Sequence, residues 1–158
     1  MPARRTLVGT AGWLLGLVLA FPAAGLEPAR LVAGFPRGHA VLETAGGRCL
    51  LIDIHVAITP DQRAQGLMFV EEMGEFEGMY FGYDPPASLA MWMKNTILPL
   101  DMLFILPDGT VGRIVRNAEP YSTARIESGG PVSGVLELNA GFAERWKLGA
   151  GTKVVLLP

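Results

Sequence analysis

Residues 101–106 and 110–115 are two apolar runs of strand length, and between them stands Pro107-Asp108-Gly109. An Asp-Gly pair in that position is the strongest short-range signal for a β-hairpin, because glycine takes the positive φ of a tight turn without a steric penalty. The same grammar recurs upstream, where residues 39–44 and 48–57 flank Ala45-Gly46-Gly47 and predict a second hairpin. Alternation in its second arm puts Leu50, Ile52, Ile54 and Val56 on a core face, with Leu51, Asp53, His55 and Ala57 opposite. Residues 79–81, 88–95, 132–138 and 153–157 read as further strands, the first of them broken by Tyr83-Asp84-Pro85-Pro86. Two short helices are expected. Thr59 caps one from Pro60 to about Gly66, and Asn139 caps the other over residues 140–147, with Gly149 and Gly151 stopping it. Many short strands and two short helices imply a mainly β fold, a compact antiparallel sheet curled into a sandwich or small barrel.

Residues 1–25 have the layout of a secretory signal. Arg4 and Arg5 precede an apolar stretch at 7–21, and Pro22-Ala23-Ala24-Gly25 offers small residues for cleavage. The stretch is shorter than the roughly twenty residues a membrane span needs, so an uncleaved anchor is the secondary reading. It is also the only membrane contact expected. The paired arginines admit the twin-arginine route. Residues 26–38 carry Pro28, Gly34, Pro36 and Gly38 without a period and read as a flexible leader, which leaves residues 39–158 for a single domain. The protein is expected to be periplasmic or secreted. Losing the two arginines moves the formal charge from −2 to −4, so nothing recommends nucleic acid as a partner. Cys49 is the only cysteine; it forms no intrachain disulfide and reads as a buried, inert thiol.

Polar residues set into the apolar run 91–101 mark the candidate site. As a strand, this run turns Trp92 and Lys94 to one face and Met91, Met93 and Asn95 to the other. Lys94 beside an indole suits an anion; alternatively it lies across Trp92 or pairs with Asp101. Asn95 and Pro99 suggest a turn, with Asn95 tolerating a left-handed backbone and Asp101 accepting from backbone amides. Arg63 suits a carboxylate or phosphate, or a brace to Glu137 or Asp101. Glu137 alternates with Leu136 and Leu138 and so faces either a cleft or solvent. Six of the seven methionines lie between Met68 and Met102, which raises a soft-metal site, but gap-filling in a β core explains them better. No zinc spacing, nucleophile elbow or phosphate loop is present, and no metal or cofactor is expected.

Five motifs occur in order: Arg63-Ala64-Gln65-Gly66-Leu67-Met68, Gly78-Met79-Tyr80-Phe81, Trp92-Met93-Lys94-Asn95-Thr96, Pro99-Leu100-Asp101, and Val135-Leu136-Glu137-Leu138 with Gly141. Over roughly residues 48–157 the chain resembles the DUF192 (UPF0127) family, small exported or archaeal proteins of unassigned activity. The resemblance implies a compact, mostly β domain behind a signal or anchor, and it carries over no catalytic residue. The acidic segment Glu71-Glu72-Met73-Gly74-Glu75 departs from its pattern.

The first expectation for function is a binding module for a small polar or anionic ligand, using Arg63, Trp92, Lys94, Asn95, Asp101 and Glu137. The second is a hydrolase or lyase, with Asp101 or Glu137 as base and Lys94 or Arg63 stabilising developing charge. The third is a structural or interaction protein pairing through an exposed sheet edge.

Overall fold

The computed structural model describes residues 32–157, so the signal and residues 26–31 of the leader lie outside the described residues. Among the described residues, nine strands and two short helices follow in order: β1 (Arg37–Glu43), β2 (Cys49–Ala57), α1 (Pro60–Gln65), β3 (Glu77–Ala87), β4 (Ala90–Met91), β5 (Leu100–Ile105), β6 (Val111–Ala118), β7 (Ile126–Glu127), β8 (Val132–Asn139), α2 (Phe142–Arg145) and β9 (Lys153–Leu157). Seven strands form one curled sheet in the order β6-β5-β8-β3-β2-β1-β9, and β4 pairs with β7 in a small second sheet. The fold is mainly β, as expected. Its two edges approach each other where Thr110 bridges Lys153, and the Val111 amide donates to the Thr152 carbonyl at 2.8 Å.

Both predicted hairpins form. In the β5–β6 turn Gly109 has φ 81, and the Asp108 carboxylate accepts from the Thr110 hydroxyl at 2.7 Å and from its amide at 2.9 Å. Those two bonds, the hydroxyl's the larger contribution, hold the Asp108 carboxyl below its ordinary pKa. β2 and β3 are parallel, because α1 and the segment after it carry the chain back to the same end of the sheet before β3 begins. β3 continues through Pro85 and Pro86, where the sequence suggests a break; its register against β8 shifts between Gly82 and Ala87. Gly78 allows the close approach of β3 to β8, since a Cβ would lie 2.6 Å from the Glu137 carbonyl.

Thr59 caps α1 as anticipated. Its hydroxyl accepts from the Gln62 amide at 3.2 Å, while the Gln62 side chain accepts from the Thr59 amide at 3.1 Å, a reciprocal capping box. Thr59→Ala should lower stability by about 1 kcal/mol, read as a shift in the urea midpoint at unchanged slope; an unshifted midpoint would show that α1 is held by packing alone. α2 is shorter than predicted. Asn139 does not cap it but reaches back to the Met73 and Gly74 carbonyls at 3.1 and 2.9 Å.

The central strands are buried on both faces, which explains the continuous apolar run of β5. One face holds Ala40, Leu42, Leu50, Ile52, Ile54, Leu103, Leu136, Leu138 and the α2 residues Phe142 and Ala143. The other holds Met79, Phe81, Leu100, Met102, Phe104 and Val135, and it is covered by Leu67, Val70, Met91 and Met93. Four of the methionines are thus buried core residues of this second layer. Val32 and Phe35, from the end of the segment read as a leader, are buried there too. Cys49 is exposed, against the expectation of burial: it opens β2 in the outward-facing row with Leu51 and Asp53. β9 is an edge strand, with Val155, Leu156 and Leu157 each about two-fifths exposed.

Candidate functional site

A cleft of about 210 Å³ opens on the second layer, between the end of α1, the segment 90–96, and the middle of β3 and β8. Arg63, Trp92, Lys94 and Glu137 all line it, together with Gln65, Tyr83 and Thr96. Four of the six residues singled out in the sequence are therefore brought to one place by elements far apart in the chain.

Glu137 forms part of the floor. On β8 it pairs with Met79 of β3 and Met102 of β5, and its residue is 4% exposed. Alternation with Leu136 and Leu138 points it away from the inner core, and the covering segments bury it on the second face. Among the described residues it makes no ion pair. Burial alone pushes its carboxyl up to about 8, so at neutral pH it is largely protonated and can donate a hydrogen bond.

Arg63 is anchored rather than braced to a carboxylate. One guanidinium nitrogen donates to the Ile58 and Gly82 carbonyls at 2.5 and 2.9 Å, and the group stacks 4.8 Å from the Tyr83 ring centroid. Tyr83 has its phenol raised by burial; the positive charge of Arg63 opposes this, and Glu137 adds to it. Lys94 lies across Trp92, its Nζ 5.6 Å from the indole centroid, and Trp92 is half exposed at the rim.

The strand predicted over 88–95 is reduced to Ala90–Met91, so simple alternation does not govern residues 92–95, while the turn expected from Asn95 to Pro99 forms. Met93 is buried, and Asn95 takes the left-handed conformation at φ 56, as its residue type suggested. The Asn95 amide approaches the Met68 sulfur at 3.8 Å, and its carbonyl accepts from the Phe69 amide at 2.9 Å. Asn95 thereby ties the turn to the segment after α1 and is not among the cleft-lining residues.

Asp101 is not part of the cleft either. It is fully buried on the opposite face of the sheet, where one oxygen accepts from the Asn117 amide at 2.9 Å and the other from the Ala143 amide at 2.8 Å. Both oxygens are occupied by backbone donors, and neither Lys94 nor Arg63 reaches it. The expected bonds to amides form, but to the end of β6 and the start of α2 rather than to the turn at Asn95.

Sequence reasoning missed the lining role of Tyr83, assigned to a strand break, and the pair His55–Glu77. His55 is buried beside the same layer, next to Met79, and its Nε2 lies 2.9 Å from Glu77. Burial would raise the Glu77 carboxyl, but the Gly74 amide, His55 and Arg37 outweigh it and hold the pKa below the ordinary value. The apolar row of β2 and β3 gave no sign that this pair would be enclosed.

A curled seven-stranded sheet with a polar cleft over its second layer defines a small single-domain β protein without a recognisable catalytic constellation among the described residues. The chain belongs to the DUF192 family of uncharacterised proteins, whose model matches residues 40–156. A search of curated proteins finds no match. Among solved structures, a Sinorhizobium meliloti protein described as a candidate transcription regulator is 43% identical, with a TM-score of 0.76 over 77% of this chain and 95% of that one. A Novosphingobium aromaticivorans protein of unknown function is 36% identical, with a TM-score of 0.76 over 78% of this chain and 88% of that one.

Proposed function

We propose that this protein is a periplasmic or secreted binding module that takes one small polar or anionic molecule in the cleft. The observation that carries the reading is the company Glu137 keeps: a buried carboxyl and two cationic side chains line one solvent-open cleft. A buried carboxyl costs stability unless its interactions repay it, so its presence at the floor of a cleft points to a ligand.

A second reading keeps Glu137 as the general acid or base of a hydrolase or lyase, favoured by a carboxyl that titrates near neutrality. Asp101 has no part in it, since its oxygens are already bonded. The exposed apolar side chains Val155, Leu156 and Leu157 at the far end of β9, beyond its contact with Gly109 and Thr110, favour the interaction reading, and pairing there would leave the cleft free.

Native mass spectrometry of the protein isolated from its own cells should show a retained small molecule. Lys94→Ala should lose that molecule while Tm moves by no more than about 2 °C, because among the described residues the exposed Lys94 ammonium makes no ion pair and lies over the Trp92 ring at the surface. A protein that carries nothing, or a variant that melts far lower, would remove the support for the binding reading.

A further inference from the structure

We propose that the cleft continues onto an exposed aromatic rim, Phe69, Trp92 and Tyr121, and that the two together bind an uncharged oligosaccharide. This rests on the binding reading and names the class of its ligand.

The rim is built on one turn. Phe69 lies in the segment after α1, and its amide donates to the Asn95 carbonyl at 2.9 Å; Tyr121 lies beyond β6, and its amide donates to the Thr96 carbonyl at 3.1 Å. Trp92 leads into the same turn, and the Met93 amide behind it donates to the Ser122 carbonyl at 2.9 Å. Trp92, Thr96 and Met68, the residue before Phe69, all line the cleft. Three aromatic residues from three stretches of the chain are thus held beside one opening, and their exposures are 55% for Phe69, 50% for Trp92 and 60% for Tyr121.

Folding alone does not call for aromatic residues at two of these positions. Phe69 and Tyr121 take the left-handed conformation, at φ 64 and 61, where a bulky side chain is strained and glycine is not. Neither belongs to the buried core, and neither stacks on another aromatic ring among the described residues. A ring kept in water on a strained backbone serves a surface that stacks rather than a core that packs.

Charge, backbone and layout choose the occupant. Glu71 and Glu119, both exposed, each stand two residues from a rim residue, and Lys94 is the one cation in residues 92–96. The rim is therefore not the basic surface that a nucleic-acid backbone or an anionic leaflet requires. An extended peptide adds to a free backbone edge, but the amides of Phe69, Met93, Thr96 and Tyr121 are already bonded within the turn and its neighbours. A protein interface has an apolar centre and a polar rim, whereas here a polar centre with the buried Glu137 carries aromatic residues beside it.

Sugar chemistry matches what remains. Each sugar hydroxyl both donates and accepts. The cleft offers both roles: Tyr83 and Thr96 bring hydroxyls, Gln65 an amide and Glu137 a carboxyl that accepts in either protonation state, while Arg63, Lys94 and the Trp92 indole bring N–H donors. The C–H face of a pyranose rests on an aromatic ring. At about 210 Å³ the cleft is smaller than the roughly 300–1,000 Å³ of pockets that enclose a whole small ligand, so it suits one ring of a chain whose neighbours lie on the rim.

Titration calorimetry of the purified full chain with three uncharged tetrasaccharides, cellotetraose, mannotetraose and chitotetraose, tests this. At least one should bind with a Kd of about 1 mM or tighter. Trp92→Ala should weaken that binding at least about tenfold, and Phe69→Gly and Tyr121→Gly about three- to tenfold each. In the two glycine variants Tm should hold or rise, since glycine suits the left-handed backbone. No heat from any of the three sugars, or unchanged affinity in all three variants, overturns the saccharide site. Flotation with phosphatidylglycerol vesicles in place of sugar binding makes the rim a membrane contact and overturns it likewise. A retained molecule in native mass spectrometry that is not a saccharide overturns the class and leaves the binding reading standing; no retained molecule together with no heat overturns both.

Discussion

Asp101→Ala is expected to destabilise the domain by about 3–5 kcal/mol, a large part of what a domain of this size possesses. The carboxylate is a joint between three elements. From β5 it accepts the Asn117 amide at the end of β6 and the Ala143 amide at the start of α2, with no exposure to water. Alanine leaves the buried Ala143 N–H without an acceptor at about 1–3 kcal/mol, leaves the part-buried Asn117 N–H to water at a smaller cost, and adds a cavity. Asn keeps the shape but turns an amide N–H₂ toward one of the donors, so Asp101→Asn should lose about 2–4 kcal/mol. Urea unfolding at neutral pH measures both. If Asp101→Ala lies within about 1 kcal/mol of the parent, α2 and β6 are held by other means and the joint is a misreading.

The same residue shows why the site was only partly legible in the sequence. Alternation told correctly that Glu137 faces away from Leu136 and Leu138, and that Asp101 suits backbone amides. It could not tell which face of a central strand meets a cleft, because that depends on what covers the sheet. The covering segments, 66–73 and 91–99, have no period and take their shape from particular turns, such as the left-handed Asn95. Where local chemistry decides, the reading held: the Asp108-Gly109 turn, the Gly46-Gly47 hairpin and the Thr59 N-cap all form. Where tertiary contacts decide, it did not. The parallel β2–β3 pair depends on a crossover and the enclosure of His55 on what packs over it, whereas the exposure of Cys49 follows from the alternation that already set Leu50 and Ile52 inward.

Glu137→Gln is expected to stabilise the protein strongly at high pH and hardly at all at low pH. In the unfolded chain the carboxyl titrates near 4.5, whereas burial in the folded chain raises it to about 8. A group whose pKa is raised by folding has its favourable contribution fully present below the unfolded value. That contribution is lost as pH climbs from about 4.5 to about 8, because the unfolded chain releases the proton first, and the loss levels off above the folded value. The interval corresponds to roughly 3–5 kcal/mol. The amide introduced by Glu137→Gln does not titrate, so the variant should match the parent near pH 4 and exceed it by that amount at about pH 8.5. Urea midpoints across this range measure the divergence, and curves that run parallel would show that water reaches the carboxyl and that its burial is only apparent. On the binding reading proposed above, a carboxyl that weakens the fold throughout the physiological range, when an amide of equal shape would not, is kept for what it does to a molecule in the cleft. The stability difference between parent and Glu137→Gln should therefore stop growing near pH 8, where the folded carboxyl titrates.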